Sequence, residues 1–234
     1  MPYCPKCGNQ LSGSEPHCPA CGQPTDFPPP LLAPSPARTQ ESLPLGDYVK
    51  TGWDLFKQYP GGFVGFCLLY FLIQVALKAI PYVGAVAAVV INTPLLMGNF
   101  IVSAKLLHGQ PPEFRDFFEG FQYFLPLLLL SLVAGLFIGI GTILLVIPGI
   151  YLAVAYLFAS YLVVDRRLDF WPAMELSRRT VTPRWFGYFA FMLLLALLNL
   201  AGALLLGLGL LVTIPLSFCA VTAAYADLFG FQSH

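Results

Sequence analysis

The sequence predicts an all-α polytopic membrane protein with six transmembrane helices arranged as three hairpins. Of its 234 residues, 57% are hydrophobic and only 10% are charged, against about 25% charged residues in a soluble domain. Between Glu119 and Asp165 there are 45 consecutive residues without Asp, Glu, Lys or Arg. One membrane helix needs about 20 apolar residues, so this block fits two helices joined by a turn.

Each apolar block also contains a break signal. Proline removes a backbone donor and glycine tolerates unusual dihedral angles, so Pro148-Gly149 is expected to divide the block described above. A first block is divided near Pro81 and a third near Pro215. The predicted spans are residues 62–80, 83–104, 121–146, 149–164, 185–210 and 213–229.

Residues 1–25 form a separate predicted domain with two C-P-x-C-G motifs, Cys4 to Gly8 and Cys18 to Gly22. The spacing lets both thiolates of a pair reach one ion, and two pairs supply a closed tetrahedral structural zinc site. The segment resembles the short zinc-ribbon modules at the amino termini of many bacterial membrane and regulatory proteins. The predicted ligands of a structural Zn²⁺ are Cys4, Cys7, Cys18 and Cys21. So small a segment has almost no core, so the metal is expected to supply its folding free energy.

Two alternatives to a purely structural zinc ribbon are a redox-active cysteine pair and a nucleic-acid-binding ribbon. Two matched motifs suit a metal better than a thioredoxin-like site. Residues 1–26 hold one lysine against Glu15 and Asp26, and zinc with four thiolates is formally dianionic. Such a surface repels phosphate, so no nucleic-acid partner is expected.

The charge distribution predicts the topology. Residues 26–45 are a proline-rich linker that lets the ribbon stand roughly 60 Å from a bilayer, and residues 46–230 are the membrane domain. Residues 1–45 contain no apolar stretch long enough to cross a membrane. With a cytosolic amino terminus, 11 of the 12 basic residues fall in cytosolic segments and only Lys78 falls outside. The predicted location is the bacterial inner (cytoplasmic) membrane, with both termini cytosolic.

A short segment of mixed polarity precedes each hairpin and is predicted to form an interfacial amphipathic helix. These segments are residues 47–59, 113–120 and 170–182. For the first of them, a plain extension of span one is the alternative. The pattern suggests a triplicated unit, with chance similarity of apolar sequence as the alternative. One alignment superimposes Pro81, Pro148 and Pro215; a second superimposes Pro94 and Gly109 on Pro215 and Gly230.

Residues 45–230 resemble a family of bacterial integral membrane proteins. The resemblance rests on Pro148 to Leu152, Tyr161 to Asp165, Trp171 to Arg179 and the aromatic pair Trp185-Phe186. The family is related to the membrane domain fused to some glycerophosphodiester phosphodiesterases. It implies six helices with interfacial segments and a mostly undefined biochemical role. No phosphodiesterase domain is present in this sequence, so that activity is not carried over.

The spans predict binding rather than catalysis, because no cluster of ionisable groups or catalytic pair falls inside them. The polar residues that best fit a solute path are Asn92, Asn99 and Asn199; a shared cavity would favour a transporter, and burial between helices a scaffold. Small-residue pairs, Gly135 with Gly139 and Ala203 with Gly207, predict close packing within the chain, with a homo-oligomer as the alternative.

The segment 165–184 interleaves arginines with aromatic residues, a pattern suited to anionic lipid headgroups. The candidate headgroup contacts are Arg166, Arg167, Arg178, Arg179 and Arg184. The alternative is that they only fix the topology. The sequence as a whole predicts a non-enzymatic adaptor or scaffold that contacts the lipid bilayer and a cytosolic or membrane protein partner. A transporter or channel with a path between the hairpins is the alternative function.

Overall fold

The computed structural model describes residues 43–79, 83–204 and 207–231. The chain divides into two units, Met1–Arg38 and Thr39–His234, and every described residue belongs to the second. The described part is helical throughout. In chain order its elements are α1 Leu45–Gln58, α2 Pro60–Lys78, α3 Val83–Leu107, the 3₁₀ helix η1 Phe114–Tyr123, α4 Phe124–Leu144, α5 Val146–Ala155, α6 Ala159–Arg166, α7 Phe170–Val181, the 3₁₀ turn η2 Thr182–Arg184, α8 Trp185–Leu204 and α9 Leu210–Phe229.

The prediction of six apolar segments long enough to cross a membrane is confirmed. These candidate spans are Pro60–Lys78, Val90–Leu107, Phe114–Leu144, Val146–Arg166, Phe170–Leu204 and Leu210–Phe229. An all-helical multi-pass membrane domain follows, because every backbone N–H and C=O group in the hydrocarbon must be satisfied internally.

Two of the predicted turns lie elsewhere in the structure. Pro148 is in the first turn of α5, and the chain breaks instead at the extended residue Leu145. A proline is tolerated in a first turn because its missing N–H would have no helical partner there. Pro215 lies inside α9, and the turn before it contains Gly207, whose φ is +76°. The break expected at Pro81 lies outside the described residues.

The three mixed segments form separate helical elements, as the sequence predicts. They are α1, η1 and α7, and α1 is no extension of the first span because the chain breaks at Tyr59, where φ is −141°. Each segment packs mainly on the second helix of the hairpin before it: η1 on α3, and α7 on α6. The first segment, α1, packs on α9 and so closes a ring. The hairpins follow the same cyclic order, because α4 contacts α3, α8 contacts α5, and α2 contacts α9.

This cyclic order supports the hypothesis of a triplicated unit, and the backbone favours one of its two alignments. Pro94 and Pro215 both lie inside helices, α3 and α9. The glycines that follow those helices, Gly109 and Gly230, both have positive φ, +68° and +64°. The alignment through Pro148 does not fit in the same way, because that proline begins a helix.

Each amphipathic segment approaches its partner helix closely through a small residue. A Cβ on Gly52 of α1 would lie 2.7 Å from the backbone nitrogen of Ala220 in α9. A Cβ on Gly120 of η1 would overlap the carbonyl oxygen of Pro94 in α3. In the remaining unit a serine takes this place. The Ser177 hydroxyl donates to the Ala155 carbonyl at 2.8 Å and accepts from the Phe158 N–H at 3.2 Å, which satisfies the backbone at the break between α5 and α6.

Burial is uneven along the bundle. We call α1, η1, α7 and the ends of α3, α6 and α9 that they cover the collar, and the opposite ends of the three hairpins the tips. Large aromatic side chains near the collar are fully buried, among them Phe63, Phe117, Phe158, Phe191 and Tyr225. Apolar side chains at the tips are exposed, among them Val75, Ile143, Leu144, Leu204 and Leu208. The bundle therefore buries far more apolar side-chain surface at the collar than at the tips.

Candidate functional site

The predicted zinc ligands, Cys4, Cys7, Cys18 and Cys21, lie outside the described residues. Within residues 43–79, 83–204 and 207–231, no three His, Cys, Asp or Glu side chains are grouped so that they could hold a metal ion. The prediction of a Zn²⁺ site therefore rests on the sequence motif.

The arginines of segment 165–184 do not form one surface. Arg178 donates to both carboxylate oxygens of Glu175, at 2.9 and 3.0 Å, and Arg179 donates to the same carboxylate at 2.6 Å. Their spacing along α7 places all three side chains on one helical face. This carboxylate neutralises part of the positive charge that the sequence pattern assigns to lipid headgroups.

Arg166 points into the collar instead of outwards. Its guanidinium donates to the carbonyl oxygen of Phe229 at 2.9 Å and lies 5.6 Å from the centroid of that ring. Phe229 is the last residue of α9, whose final carbonyls have no partner within the helix. Arg166 therefore caps α9 and ties the second hairpin to the third.

The exposed part of the segment is smaller but still cationic. Arg167 follows α6 in a left-handed conformation (φ +50°) and is exposed, as is Arg179. Arg184 is half-buried in η2. Three acidic residues, Asp165, Asp169 and Glu175, lie among the five arginines, so the formal charge of residues 165–184 is +2.

Exposed aromatic side chains accompany all three collar segments. They are Trp53 on α1, Phe114 and Phe121 on η1, and Trp171 on α7. Tryptophan and other aromatic side chains are enriched where a membrane meets water. Nine described basic residues, from Lys50 to Arg184, also lie at the collar, whereas Lys78 lies at the tip of the first hairpin. The collar thus has the composition of a lipid–water interface.

Polar contacts within the collar join segments that are distant in sequence. Lys105 at the end of α3 lies 2.9 Å from Asp116 of η1 and 3.4 Å from Glu119. The Tyr48 hydroxyl of α1 donates to Asp227 of α9 at 2.7 Å. The Tyr225 hydroxyl donates to Asp165 at 2.6 Å. The sequence alone did not predict these contacts. The signal that it offers is an acidic or basic residue within three positions of the end of each second helix.

The three asparagines do not share a cavity. Asn92 of α3 accepts a hydrogen bond from the Tyr70 hydroxyl of α2 at 2.7 Å. Asn99 is buried within α3. Asn199 of α8 donates to the Ser217 hydroxyl of α9 at 2.8 Å. All three side chains are therefore engaged in or between helices, the arrangement expected of a scaffold.

A crevice of about 350 Å³ lies between the three second helices of the hairpins. Its wall comes from α3, from Leu157 and the start of α6, and from α9. The lining residues are Thr93, Leu96, Met97, Leu157, Ser160, Tyr161, Ser217, Phe218 and Val221. Its volume falls within the range of about 300–1,000 Å³ that is usual for small-molecule sites. The sequence alone does not predict this crevice, because its walls come from three segments that are distant in the chain.

The expectation that Gly135 and Gly139 pack within the chain is wrong. A Cβ on either residue would meet no atom within 4 Å. The same is true of Gly207, which serves the turn before α9. The spacing of small residues indicates a face that could pack closely, but it does not determine which face of α4 is turned to the bundle.

Comparison with known proteins adds no assignment: no family model, no curated protein and no solved structure matches this chain. The resemblance to the membrane domain related to glycerophosphodiester phosphodiesterases stays a prediction from sequence motifs.

Proposed function

We propose that this protein is a non-enzymatic scaffold of the bacterial inner membrane that anchors a cytosolic zinc ribbon and presents it to a protein partner. The observation that supports this most is the engagement of the asparagines Asn92, Asn99 and Asn199 in helix contacts. These uncharged polar groups, which a solute path would need, serve instead to hold the bundle together.

The orientation follows from the charges. The collar carries nine of the described basic residues and the tips carry Lys78. The positive-inside rule then assigns the collar and both termini to the cytosol. Cysteine labelling in intact cells tests this: a cysteine introduced at residue 30 stays protected from an impermeant thiol reagent, and one at residue 210 reacts. The reverse pattern contradicts the orientation.

The ribbon is proposed to hold one structural Zn²⁺ through Cys4, Cys7, Cys18 and Cys21. Elemental analysis of the purified full chain is expected to give one zinc per chain, and none for Cys4→Ser/Cys7→Ser. Cys67→Ala is the matched control, because Cys67 is a buried cysteine of α2. Equal zinc in the double variant contradicts the ligand assignment.

Crosslinking in cells followed by purification tests the scaffold itself. A cytosolic partner that is recovered with the wild type and with Cys67→Ala, but lost with Cys4→Ser/Cys7→Ser, supports an adaptor. Identical partners for all three proteins show that the ribbon recruits nothing, and the function then lies within the bilayer.

The collar is proposed to bind anionic lipid headgroups through Arg167 and Arg179, which are exposed, as is Trp171 on the same segment. Each cationic side chain near a membrane surface contributes about 1 kcal/mol, or about fivefold in binding constant. Arg167→Gln is expected to lower retention of phosphatidylglycerol in native mass spectrometry. Arg166→Gln is expected to lower the free energy of unfolding rather than lipid retention, because the Arg166 side chain caps α9.

A transporter is the second candidate, and the crevice favours it. Solute flux in reconstituted vesicles tests it. A flux abolished by filling the crevice would replace the scaffold as the main function.

A further inference from the structure

The crevice between α3, α6 and α9 is closed on its collar side. The rings of Phe100, Tyr161 and Tyr225 pack against one another there, with centroid distances of 4.7, 5.4 and 5.8 Å. Phe100 and Tyr225 lie about one helical turn closer to the collar than Leu96 and Val221, which line the crevice. Most lining side chains are partly exposed, so the crevice is open.

The crevice lies within the apolar part of the bundle. Ile143, Leu144 and Leu204 at the hairpin tips are exposed, and the walls of the crevice belong to candidate membrane spans. All nine lining residues are uncharged and most are apolar. Hydrocarbon chains of the bilayer therefore have direct access, whereas a charged group inside would meet no opposite charge on the wall.

Hydroxyl groups in the wall are left without partners. Tyr161 is 4% exposed, lines the crevice, and makes no hydrogen bond to any described residue. The hydroxyls of Thr93 and Ser160 also line the crevice and also make no hydrogen bond to any described residue. Elsewhere in the bundle serine and threonine bond back to the carbonyl four residues earlier, as Ser103, Thr142 and Thr222 do. These hydroxyls reach the open space of the crevice. A hydroxyl that faces hydrocarbon without a hydrogen-bond partner is costly, so the occupant of the crevice should supply an oxygen to these groups.

We propose that the crevice binds an uncharged lipid ester of the diacylglycerol type, with a chain along the apolar wall and an ester or hydroxyl oxygen on the Tyr161 hydroxyl. The apolar lining selects the chain, and the unpartnered hydroxyls select an oxygen-bearing molecule over a plain hydrocarbon. The lack of charge on the wall selects against phospholipid headgroups.

Photocrosslinking of the full-length protein in phosphatidylcholine nanodiscs tests this, with a diacylglycerol whose chain carries a diazirine as the probe. Labelled peptides are expected to contain residues 93–97, 157–161 and 217–221, and unlabelled diacylglycerol is expected to displace the probe. A diazirine phosphatidylglycerol is expected to label the outer faces instead. Even labelling of all outer faces by both probes overturns the proposal.

Two variants separate the crevice from the bundle around it. Tyr161→Phe keeps the ring contacts and removes the hydroxyl, and it is expected to weaken diacylglycerol binding about fivefold. Tyr151→Phe is the matched control, because its hydroxyl bonds to Thr182 outside the crevice, and binding is expected to stay unchanged. Ser160→Phe fills the crevice and is expected to abolish crevice labelling. Equal binding by wild type and Tyr161→Phe overturns the assignment of the hydroxyl.

Water in the crevice would satisfy the same hydroxyls, so the experiment includes Ser160→Cys. In sealed vesicles this cysteine is expected to resist an impermeant thiol reagent added from the tip side. The wild type is the background control for the native cysteines. Rapid modification of Ser160→Cys shows an aqueous path and contradicts a lipid-filled crevice.

Discussion

The two ends of this bundle are built from similarly apolar helices, yet only one of them is tightly packed. At the collar, Phe158 and Tyr225 are completely buried, whereas at the tips Ile143 is 87% exposed. Lipid is as apolar as leucine, so helices within a bilayer do not associate through the hydrophobic effect. Association depends on close van der Waals packing and on polar contacts between helices, and the collar supplies both.

The difference assigns separate roles to the two ends. Polar contacts of the collar, such as Lys105 with Asp116 and Tyr48 with Asp227, join amphipathic segments to helices of a different hairpin. The tips are held mainly within each hairpin, for example where Gly202 of α8 meets Gly209 before α9. The collar therefore joins the hairpins to one another, and the crevice lies between their second helices.

Truncating a ring at the collar should have the largest effect on stability. Phe158 contacts the rings of Tyr161, Tyr188 and Phe229, so Phe158→Ala is expected to cost about 3–5 kcal/mol. Ile143→Ala at the tips is expected to cost less than about 0.5 kcal/mol, because lipid takes the place of the lost methyl groups. Reversible unfolding in mixed micelles measures both. Equal losses of unfolding free energy in Phe158→Ala and Ile143→Ala would contradict the claim that the collar is packed more tightly than the tips.

The buried ion pair of the collar should have the next largest effect. Asp116 is 2% exposed and Lys105 is 29% exposed, and Asp116 also accepts the Glu113 N–H at 2.8 Å. Because Glu119 still faces Lys105, Asp116→Asn is expected to cost about 2–3 kcal/mol, somewhat less than the loss of one partner from a fully buried pair.

An exposed ion pair on the same segment is the control for Asp116→Asn. Arg115 and Glu113 are 2.8 Å apart, with side chains 78% and 63% exposed. Arg115→Gln is expected to change the free energy of unfolding by less than about 0.5 kcal/mol. If Asp116→Asn and Arg115→Gln lower the free energy of unfolding by the same amount, burial does not determine how much these ion pairs stabilise the fold.

The sequence predicts the apolar helices well because their signal is local. Composition and uncharged length alone locate six spans, and polarity locates α1, η1 and α7. The turns were misplaced at Pro148 and Pro215 because proline marks a helix start, or is tolerated inside a membrane helix, as readily as it marks a turn.

The parts that sequence analysis missed depend on distant contacts. The break between α5 and α6 is stabilised by Ser177, which lies on another helix. The ring closes through Tyr48 and Asp227, 179 positions apart in the chain. The crevice depends on the angles between hairpins, and no local pattern of residues encodes those angles.

Close packing of α1 on α9 allows a comparison of two glycines within one helix. A Cβ on Gly52 would lie 2.7 Å from the Ala220 backbone, whereas a Cβ on Gly46 would meet nothing within 4 Å. Gly52→Ala is expected to cost about 1–2 kcal/mol through overpacking. Gly46→Ala is expected to stabilise by up to about 1 kcal/mol, because alanine favours the helix. Opposite signs in thermal unfolding support ring closure through α1; two stabilising substitutions contradict it.

The Tyr48 hydroxyl should have the smallest of these effects, and its effect should depend on pH. Burial and the hydrogen bond to Asp227 raise the pKa of the Tyr48 phenol above its ordinary value. Above about pH 10 the unfolded chain loses this proton while the folded state keeps it. The contribution of Tyr48 to the free energy of unfolding is therefore complete below about pH 10 and is lost as the pH rises through the raised pKa. Tyr48→Phe is expected to cost about 1 kcal/mol near neutral pH.

This cost should shrink above pH 10, because only the wild type loses the Tyr48 contribution there. Unfolding of wild type and Tyr48→Phe across pH 7–11 measures the difference, with Tyr151→Phe as the control for an exposed hydroxyl. A cost of Tyr48→Phe that stays constant with pH would show that the folded state holds the Tyr48 proton no more tightly than the unfolded chain does. The tie between the first and last units of the ring would then depend on the packing of α1 against α9.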